Sequence, residues 1–248
     1  MHGHDRHTPI FFDKRFFIQL NCPLSRDRGR LDGYQMKSQD LVLLFRLLSI
    51  WADERPVSGR LRTDAWQGWE SLASNGFSLE PIQSFDSSYE DYRRGLFTVR
   101  QLASTANISK TQVSLSLQRS IDSGIAVVDR KTGLPKVNAK ALYGLIVHAV
   151  KYVFPAKKGP INRGIPTAMA APVLRDQILT GGDFVPVWPD PRGTTMGQAI
   201  EPLFEGVTAA VANDPMLYAL LALTDAMRIG QPREQSIASE NLREIMGV

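Results

Sequence analysis

Apolar residues recur at helical spacing in a segment near the middle of the chain. Val99, Leu102 and Ala106 lie three to four residues apart, which is the periodicity of one helix face. Thr98 precedes them, and Gln101 follows it by three residues, which is the spacing of a capping box. The pattern predicts a short helix that begins after Thr98.

A second helix is predicted a few residues further along. Asn107 tolerates the left-handed conformation that ends many helices, and Ser109 and Gln112 then form another capping box. Gly124 ends the predicted helix, which covers residues 109–123. Its apolar positions recur every four residues, at Val113, Leu117 and Ile121.

Two short β-prone runs follow Gly124 and flank a turn at residues 129–133, where Gly133 supplies the positive φ of a tight hairpin. Arg130 and Lys131 lie at the predicted tip, and Lys136 lies on the return strand. Such cations are suited to DNA phosphates or to the minor groove. A solvated charged turn is the alternative interpretation.

Two helices, a tight connection and a basic hairpin in this order predict a winged helix-turn-helix. The polar positions of the second helix can donate hydrogen bonds to base edges, as a recognition helix does. Many helix-turn-helix units serve packing or protein binding instead. The candidate DNA-binding residues are Lys110, Thr111, Gln112, Ser114, Gln118, Arg119, Arg130, Lys131 and Lys136.

The globular part is predicted to start near Ser38, which would cap a helix with Leu41, Phe45, Leu48 and Trp51 on one stripe. Residues 53–95 are too long for the usual link to the next helix. We interpret them as an insertion with short helices around 66–72 and 89–94. Residues 1–37 are an irregular extension, and residues 38–155 form the predicted DNA-binding domain.

After the hairpin, Asn138 caps a predicted helix that Pro155 ends, and such a helix often links DNA-binding units into a dimer. Residues 155–172 hold four prolines and are predicted to lack regular structure. This stretch is either a functional loop or a stiff linker.

Residues 156–248 are predicted to form this Pro-rich loop and a helical C-terminal module. Asp214 and Pro215 begin one helix, Gly230 ends it, and a last helix covers 234–246. Four charged residues are placed to close this helical hairpin by salt bridges: Asp225, Arg228, Arg233 and Glu234. The predicted fold class is therefore mainly α with a small β-hairpin wing, as a winged helix-turn-helix domain followed by a helical module.

Composition indicates the class of protein and its expected cellular location. The chain has 248 residues with 43% hydrophobic content, enough to bury a core. It lacks a run of about 20 apolar residues and an opening signal-type segment, so we expect a cytoplasmic protein. Cys22 is the single cysteine and is interpreted as incidental, and the spacing of His2, His4 and His7 does not predict a metal site.

Charge is unevenly distributed along the chain. Between Asp91 and Arg163 there are thirteen Lys and Arg against three acids, whereas 164–248 hold five Arg against ten acids. A basic segment that coincides with a helix-turn-helix pattern favours a polyanionic partner for this part of the chain.

The pattern I-S-K-T-Q-V-S-x-x-L-x-R-x-x-D-x-G-I followed by a hairpin resembles the winged-helix domains of MarR-type bacterial transcription regulators. The resemblance covers Gln39 to about Val153, with an insertion, and implies a DNA-binding fold. Segments downstream, such as YVFPAKKGPINRGIPTAMAAPVL and VWPDPRG, are similar to a less characterised MarR-like group. That similarity implies an autoregulating repressor of the antitoxin type.

Diagnostic spacings of catalytic triads, metal ligands and phosphate-binding loops are missing from the sequence, so we expect neither enzymatic activity nor a cofactor. The sequence predicts a sequence-specific DNA-binding transcriptional regulator that represses as a homodimer and contacts the major groove of double-stranded DNA with helix 109–123. The alternative is a protein-interaction module, such as an antidote that binds a toxin.

Overall fold

Helices dominate the structure because most apolar residues recur at helical spacing. A computed structural model of the chain describes residues 35–52, 87–175, 177–178 and 184–248, all within one compact unit. The described helices are α1 Ser38–Ala52, α2 Ser87–Leu96, α3 Val99–Ala106, α4 Lys110–Asp122, α5 Ala139–His148, α6 Val150–Val153, α7 Val207–Val211, α8 Pro215–Ile229 and α9 Pro232–Met246. The described strands are β1 Ala126–Val128, β2 Pro135–Val137, β3 Lys158–Pro166, β4 Val185–Pro189 and β5 Thr195–Ile200. The mainly α fold class predicted from the sequence is confirmed.

Helix α1 lies at the centre of this unit. It contacts α3, α4 and β2 and also contacts α8. Its apolar residues are therefore buried on several faces, and not only on the stripe that the sequence predicted. The carboxylate of Asp40 accepts a hydrogen bond from the backbone N–H of Lys37 at 2.8 Å, so Asp40 satisfies a backbone donor at the start of the helix.

Helix α8 is the second buried helix. Met216 to Met227 are all buried, because α8 lies against α1, α6 and α9. Asp214 caps it by accepting the backbone N–H of Leu217 at 2.9 Å, as its sequence predicted. Asp214 also accepts hydrogen bonds from Arg46, as an ion pair, and from Ser49 at 2.8 Å. The start of α8 is thereby fastened to α1.

Strands β1 and β2 form the predicted antiparallel hairpin, in which Val127 lies opposite Lys136. The hairpin packs on the end of α1, where the indole N–H of Trp51 donates to the carbonyl oxygen of Pro135 at 2.9 Å. The Trp51 ring also lies 5.4 Å from the Phe97 ring, between centroids. These contacts fix the hairpin relative to the central helix.

The predicted helix after the hairpin is present in two parts. Asn138 caps α5 by accepting the backbone N–H of Ala141 at 3.2 Å, as expected. The backbone leaves the helical range at Ala149, which separates α5 from α6. Helix α6 ends at Val153, just before Pro155, as the proline predicts.

Strands β3, β4 and β5 close into a small barrel. Strand β3 pairs antiparallel with both β4 and β5, and β4 pairs parallel with β5. The prediction that residues 155–172 lack regular structure is therefore wrong. Pro160 lies where the register with β5 shifts between Lys158 and Ile161, and Pro166 lies at the strand end, so both prolines occupy positions that strands tolerate. The C-terminal part, predicted to be helical, holds this barrel as well as α7, α8 and α9.

A buried polar network attaches the barrel to α8. Asp225 accepts hydrogen bonds from Thr167 at 2.9 Å, from the indole of Trp188 at 2.6 Å and from Arg228 at 2.6 Å. Arg228 also donates to the carbonyl oxygen of Phe154 at 2.8 Å. Full burial raises the pKa of the Asp225 carboxyl, and Arg228 acts against that shift.

The charged residues near the last two helices thus have different roles from the predicted one. Asp225 and Arg228 join α8 to the barrel and to residue 154, and do not close the α8–α9 hairpin. Glu234 accepts the backbone N–H of Gln231 at 2.7 Å and completes a capping box at the start of α9. Arg233 is exposed.

Helix α2 overlaps the short helix predicted at 89–94 within the insertion. Outside the described residues lie the helix predicted at 66–72, residues 1–34 of the predicted extension 1–37, the three N-terminal histidines and Cys22. Within the described part of the chain, no helix combines the length and apolar character needed to cross a membrane.

Candidate nucleic-acid interface

Helices α3 and α4 are joined by a turn whose geometry follows from its capping residues. The Thr98 hydroxyl accepts the backbone N–H of Gln101, and the Ser109 hydroxyl accepts that of Gln112, both at 3.3 Å. Asn107 adopts the left-handed conformation, with φ of 53°. Both predicted N-caps and the predicted turn residue are confirmed.

This turn is supported by the C-terminal part of the chain. Gly206, just before α7, approaches Asn107 so closely that an added Cβ would lie 2.6 Å from the Asn107 side-chain nitrogen. A side chain at position 206 would therefore require the side chains of Asn107 and Phe204 to move. Helix α3 also contacts α7, so the connection between α3 and α4 lies against a part of the chain that is distant in sequence.

Helix α4 has one buried face and one outward face. Its buried residues are Val113, Ser116, Leu117 and Ser120. At 100° per residue, the opposite side of the helix is centred between Thr111, Leu115, Gln118 and Asp122. Lys110 and Thr111, in the first turn, are both exposed.

Three of the predicted DNA-binding residues on α4 are already hydrogen-bonded within the protein. Gln112 accepts a hydrogen bond from the Gln39 side chain at 2.7 Å, and the Ser114 hydroxyl donates to the backbone oxygen of Lys110 at 3.2 Å. The Gln118 amide donates to Asp122 at 2.7 Å. All three remain partly exposed.

Arg119 is directed toward the protein interior. It donates to both carboxylate oxygens of Asp40, and its side chain is only 10% exposed. The hydrogen bond to Asp40 raises the pKa of the guanidinium group. Arg119 thus holds α4 against α1, and its placement does not support the base contact that the sequence suggested for it.

The hairpin presents two cations at its tip. One carboxylate oxygen of Asp129 accepts hydrogen bonds from the backbone N–H groups of Lys131 at 3.0 Å and Thr132 at 2.9 Å. Both bonds lower the pKa of the Asp129 carboxyl, and the bond from Thr132 contributes most. Gly133 has φ of +72°, as predicted for a tight turn. Arg130 and Lys131 are exposed.

Lys136 belongs to a cation cluster around Trp51 that the sequence did not predict. The Lys136 ammonium nitrogen lies 5.6 Å from the centre of the Trp51 ring, and the Arg93 guanidinium carbon lies 4.6 Å from the same ring centre. Arg93 comes from α2, which the sequence placed in an insertion, so only the fold brings it to the hairpin.

The basic segment retains exposed charge after these internal contacts are formed. Of its three acids, Asp129 is bonded within the hairpin and Asp122 accepts from Gln118. The exposed cations of the segment include Arg94, Arg100, Lys110, Arg130, Lys131, Lys136, Lys140, Lys158 and Arg163. This excess is the electrostatic requirement for binding a polyanion.

Comparisons with protein-family models, with curated proteins and with solved structures found no match to the chain. The described residues hold no group of three or more potential metal ligands.

Proposed function

We propose that the chain is a sequence-specific DNA-binding regulator in which residues 38–155 form a winged helix-turn-helix. The observation that carries the proposal is the joint exposure of the first turn of α4 and of the basic hairpin tip, at Lys110, Thr111, Arg130 and Lys131. The resemblance of residues 108–125 to MarR-type regulators supports the same function.

In this proposal α4 enters the major groove with its N-terminal turns first. Lys110 and Thr111 contact base edges or the flanking phosphates, and the positive end of the helix dipole favours that orientation. Asp122 lies at the other end of α4, about 16 Å from Thr111 along the helix axis. DNA phosphates would repel its carboxylate. Gln112 can donate to a base from its amide nitrogen, and Ser114 can accept at its hydroxyl oxygen, while both keep their present partners. Gln118 lies on the outward side of the same helix.

Arg130, Lys131 and Lys136 bind phosphates or the minor groove on the hairpin side. Arg119 is left out of this proposed set because Asp40 holds it. The regulator acts as a repressor and binds as a homodimer, so its binding site is an inverted repeat with half-site centres roughly 10 bp apart or a multiple of that distance.

The test is selection of double-stranded DNA from a random library by the full chain, followed by titration of the selected duplex. We expect one motif to be enriched, and T111A to relax the preference at one position of each half-site by about 1–3 kcal/mol. R233A, which removes an exposed arginine of α9, is the control and should leave both motif and affinity unchanged. Failure to enrich any sequence would contradict the proposal.

A second candidate function is protein binding, for instance as an antidote that binds a toxin. It is favoured by three exposed apolar side chains on or beside the barrel: Ile161 at 48%, Phe184 at 51% and Met196 at 57% exposure. In the barrel register, Met196 lies opposite Arg163, two residues from Ile161. A chain that selects no DNA but purifies with a protein partner lost in M196D would support this candidate.

A further inference from the structure

Helix α4 carries a large apolar side chain on its outward face. Leu115 is 47% exposed, whereas Val113 and Leu117 of the same helix are 0% and 3% exposed. The core is thus filled by the other two residues, and Leu115 contributes little to it. Exposed leucines occur on many proteins, so the position of Leu115 decides what it means.

That position lies within the surface proposed to face DNA. Leu115 follows Thr111 by four residues, so both lie on one side of the helix, about 6 Å apart along its axis. Ser114 and Gln118 flank Leu115 and are polar. Leu115 is therefore the one large apolar group between the hydrogen-bonding residues of this face.

The major groove offers an apolar group at only one kind of base. The thymine C5-methyl group projects into the groove, while the other base edges there present hydrogen-bond donors and acceptors. An apolar side chain that enters the groove gains free energy by covering this methyl group and loses it by covering polar edges.

We propose that Leu115 contacts a thymine methyl group and so selects a T·A pair at one position of each half-site. This inference rests on the proposed function and adds a specificity-determining residue to it. The contact is apolar, which separates it from the hydrogen bonds assigned to Lys110 and Thr111.

The test replaces thymine by uracil, which lacks only the methyl group, at each position of the selected duplex in turn. The full chain should lose affinity about fourfold at one position of each half-site, as expected for one buried methyl-sized group. L115A should bind the thymine and uracil duplexes equally. V153A is the control because Val153 is also about half exposed, at 51%, and is not among the proposed DNA contacts; it should retain the wild-type sensitivity to uracil.

Leu115 is a surface residue, so L115A should melt at the wild-type temperature, and this is checked by circular dichroism. Equal wild-type affinity for thymine and uracil at every position would overturn the inference while leaving the proposed DNA binding intact. An unchanged uracil effect in L115A would also overturn it. A chain that binds no duplex DNA would overturn both.

Discussion

Arg119 donates two hydrogen bonds to Asp40, from Nε at 2.9 Å and from Nη2 at 2.6 Å, across 79 positions of the chain. Asp40 is fully buried on α1. The pair holds α4 against α1, because the Arg119 side chain extends to a carboxylate that lies inside the protein. The outward direction of Thr111 and Leu115 follows from the burial of the opposite face of α4, at Val113, Ser116, Leu117 and Ser120.

We expect R119A to destabilise the protein by about 3–5 kcal/mol, because it leaves the buried carboxylate of Asp40 without its counter-charge. Urea unfolding of the full chain measures this loss. K110A, at an exposed cation of the same helix, should change stability by less than about 0.5 kcal/mol. DNA selection with R119A at low temperature should return the wild-type motif, whereas a new motif with normal stability would show that Arg119 contacts bases.

The Asp225 and Arg228 pair gives a second stability prediction. R228A removes the counter-charge of a fully buried carboxylate and also leaves the carbonyl oxygen of Phe154 without this donor, so we expect a loss of about 3–5 kcal/mol. The measurement is thermal or urea unfolding beside R233A, which should match the wild type. Wild-type stability in R228A would mean that the network does not hold the barrel to α8.

Local signals in the sequence were sufficient to predict α3, α4 and the hairpin. Thr98, Ser109 and Asn138 cap helices through bonds to residues three positions away, and Gly133 forms a turn within five residues. Such interactions depend on neighbouring residues alone. These interactions can therefore be predicted from the sequence without knowledge of the fold.

Strand β3 was missed because its pairing is not local. Pro160 and Pro166 argue against a strand when considered alone, and only the register with β5 shows that Pro160 lies at an irregularity. The partners of Arg119 and Trp51 are similarly distant in sequence, so the inward direction of Arg119 could not be predicted. The exposure of Leu115 could have been, since it is two positions from both Val113 and Leu117 on the predicted helix.

Asp190, which follows β4, makes the free energy of unfolding depend on pH. Its carboxylate accepts hydrogen bonds from the Arg192 guanidinium at 3.0 and 2.8 Å and from the Arg192 backbone N–H. These bonds lower the pKa of Asp190 to about 2 from 3.8, and the side-chain bonds contribute most. A depressed folded-state pKa stabilises the protein fully above pH 3.8, and this contribution is lost as pH falls toward 2.

We therefore expect D190N to lower the free energy of unfolding at pH 7 and to approach the wild-type value as pH falls from about 4 to 2. Urea unfolding across that range measures the difference. E240Q changes an exposed acid of α9 and should not reproduce this pH dependence. A D190N effect that is independent of pH would contradict the role of the ionised carboxylate.

A chain that ends after Phe154 should not fold cooperatively. Helix α1 would lose its contact with α8, Arg46 would lose Asp214, and the turn at Asn107 would lose Gly206. Apolar side chains of α1 that are fully buried in the whole chain would face water, at about 1.5–3 kcal/mol each. Urea unfolding followed by circular dichroism should show no cooperative transition, and a sharp transition would contradict this dependence on the C-terminal part.

The hairpin tip yields the prediction that separates phosphate binding from base recognition. R130A and K131A each remove an exposed cation, so each should weaken binding to all duplexes by a similar factor and reduce the slope of log affinity against log salt by about 1. T111A should instead weaken the selected duplex more than unrelated duplexes and leave the salt slope unchanged. Titrations by fluorescence anisotropy at several salt concentrations measure both quantities.

R130A and K131A leave the Asp129 carboxylate in place, and its bonds to the backbone of residues 131 and 132 maintain the turn. A lower affinity can then be assigned to the missing charge, and a wild-type salt slope in both variants would exclude the hairpin tip from the DNA contact.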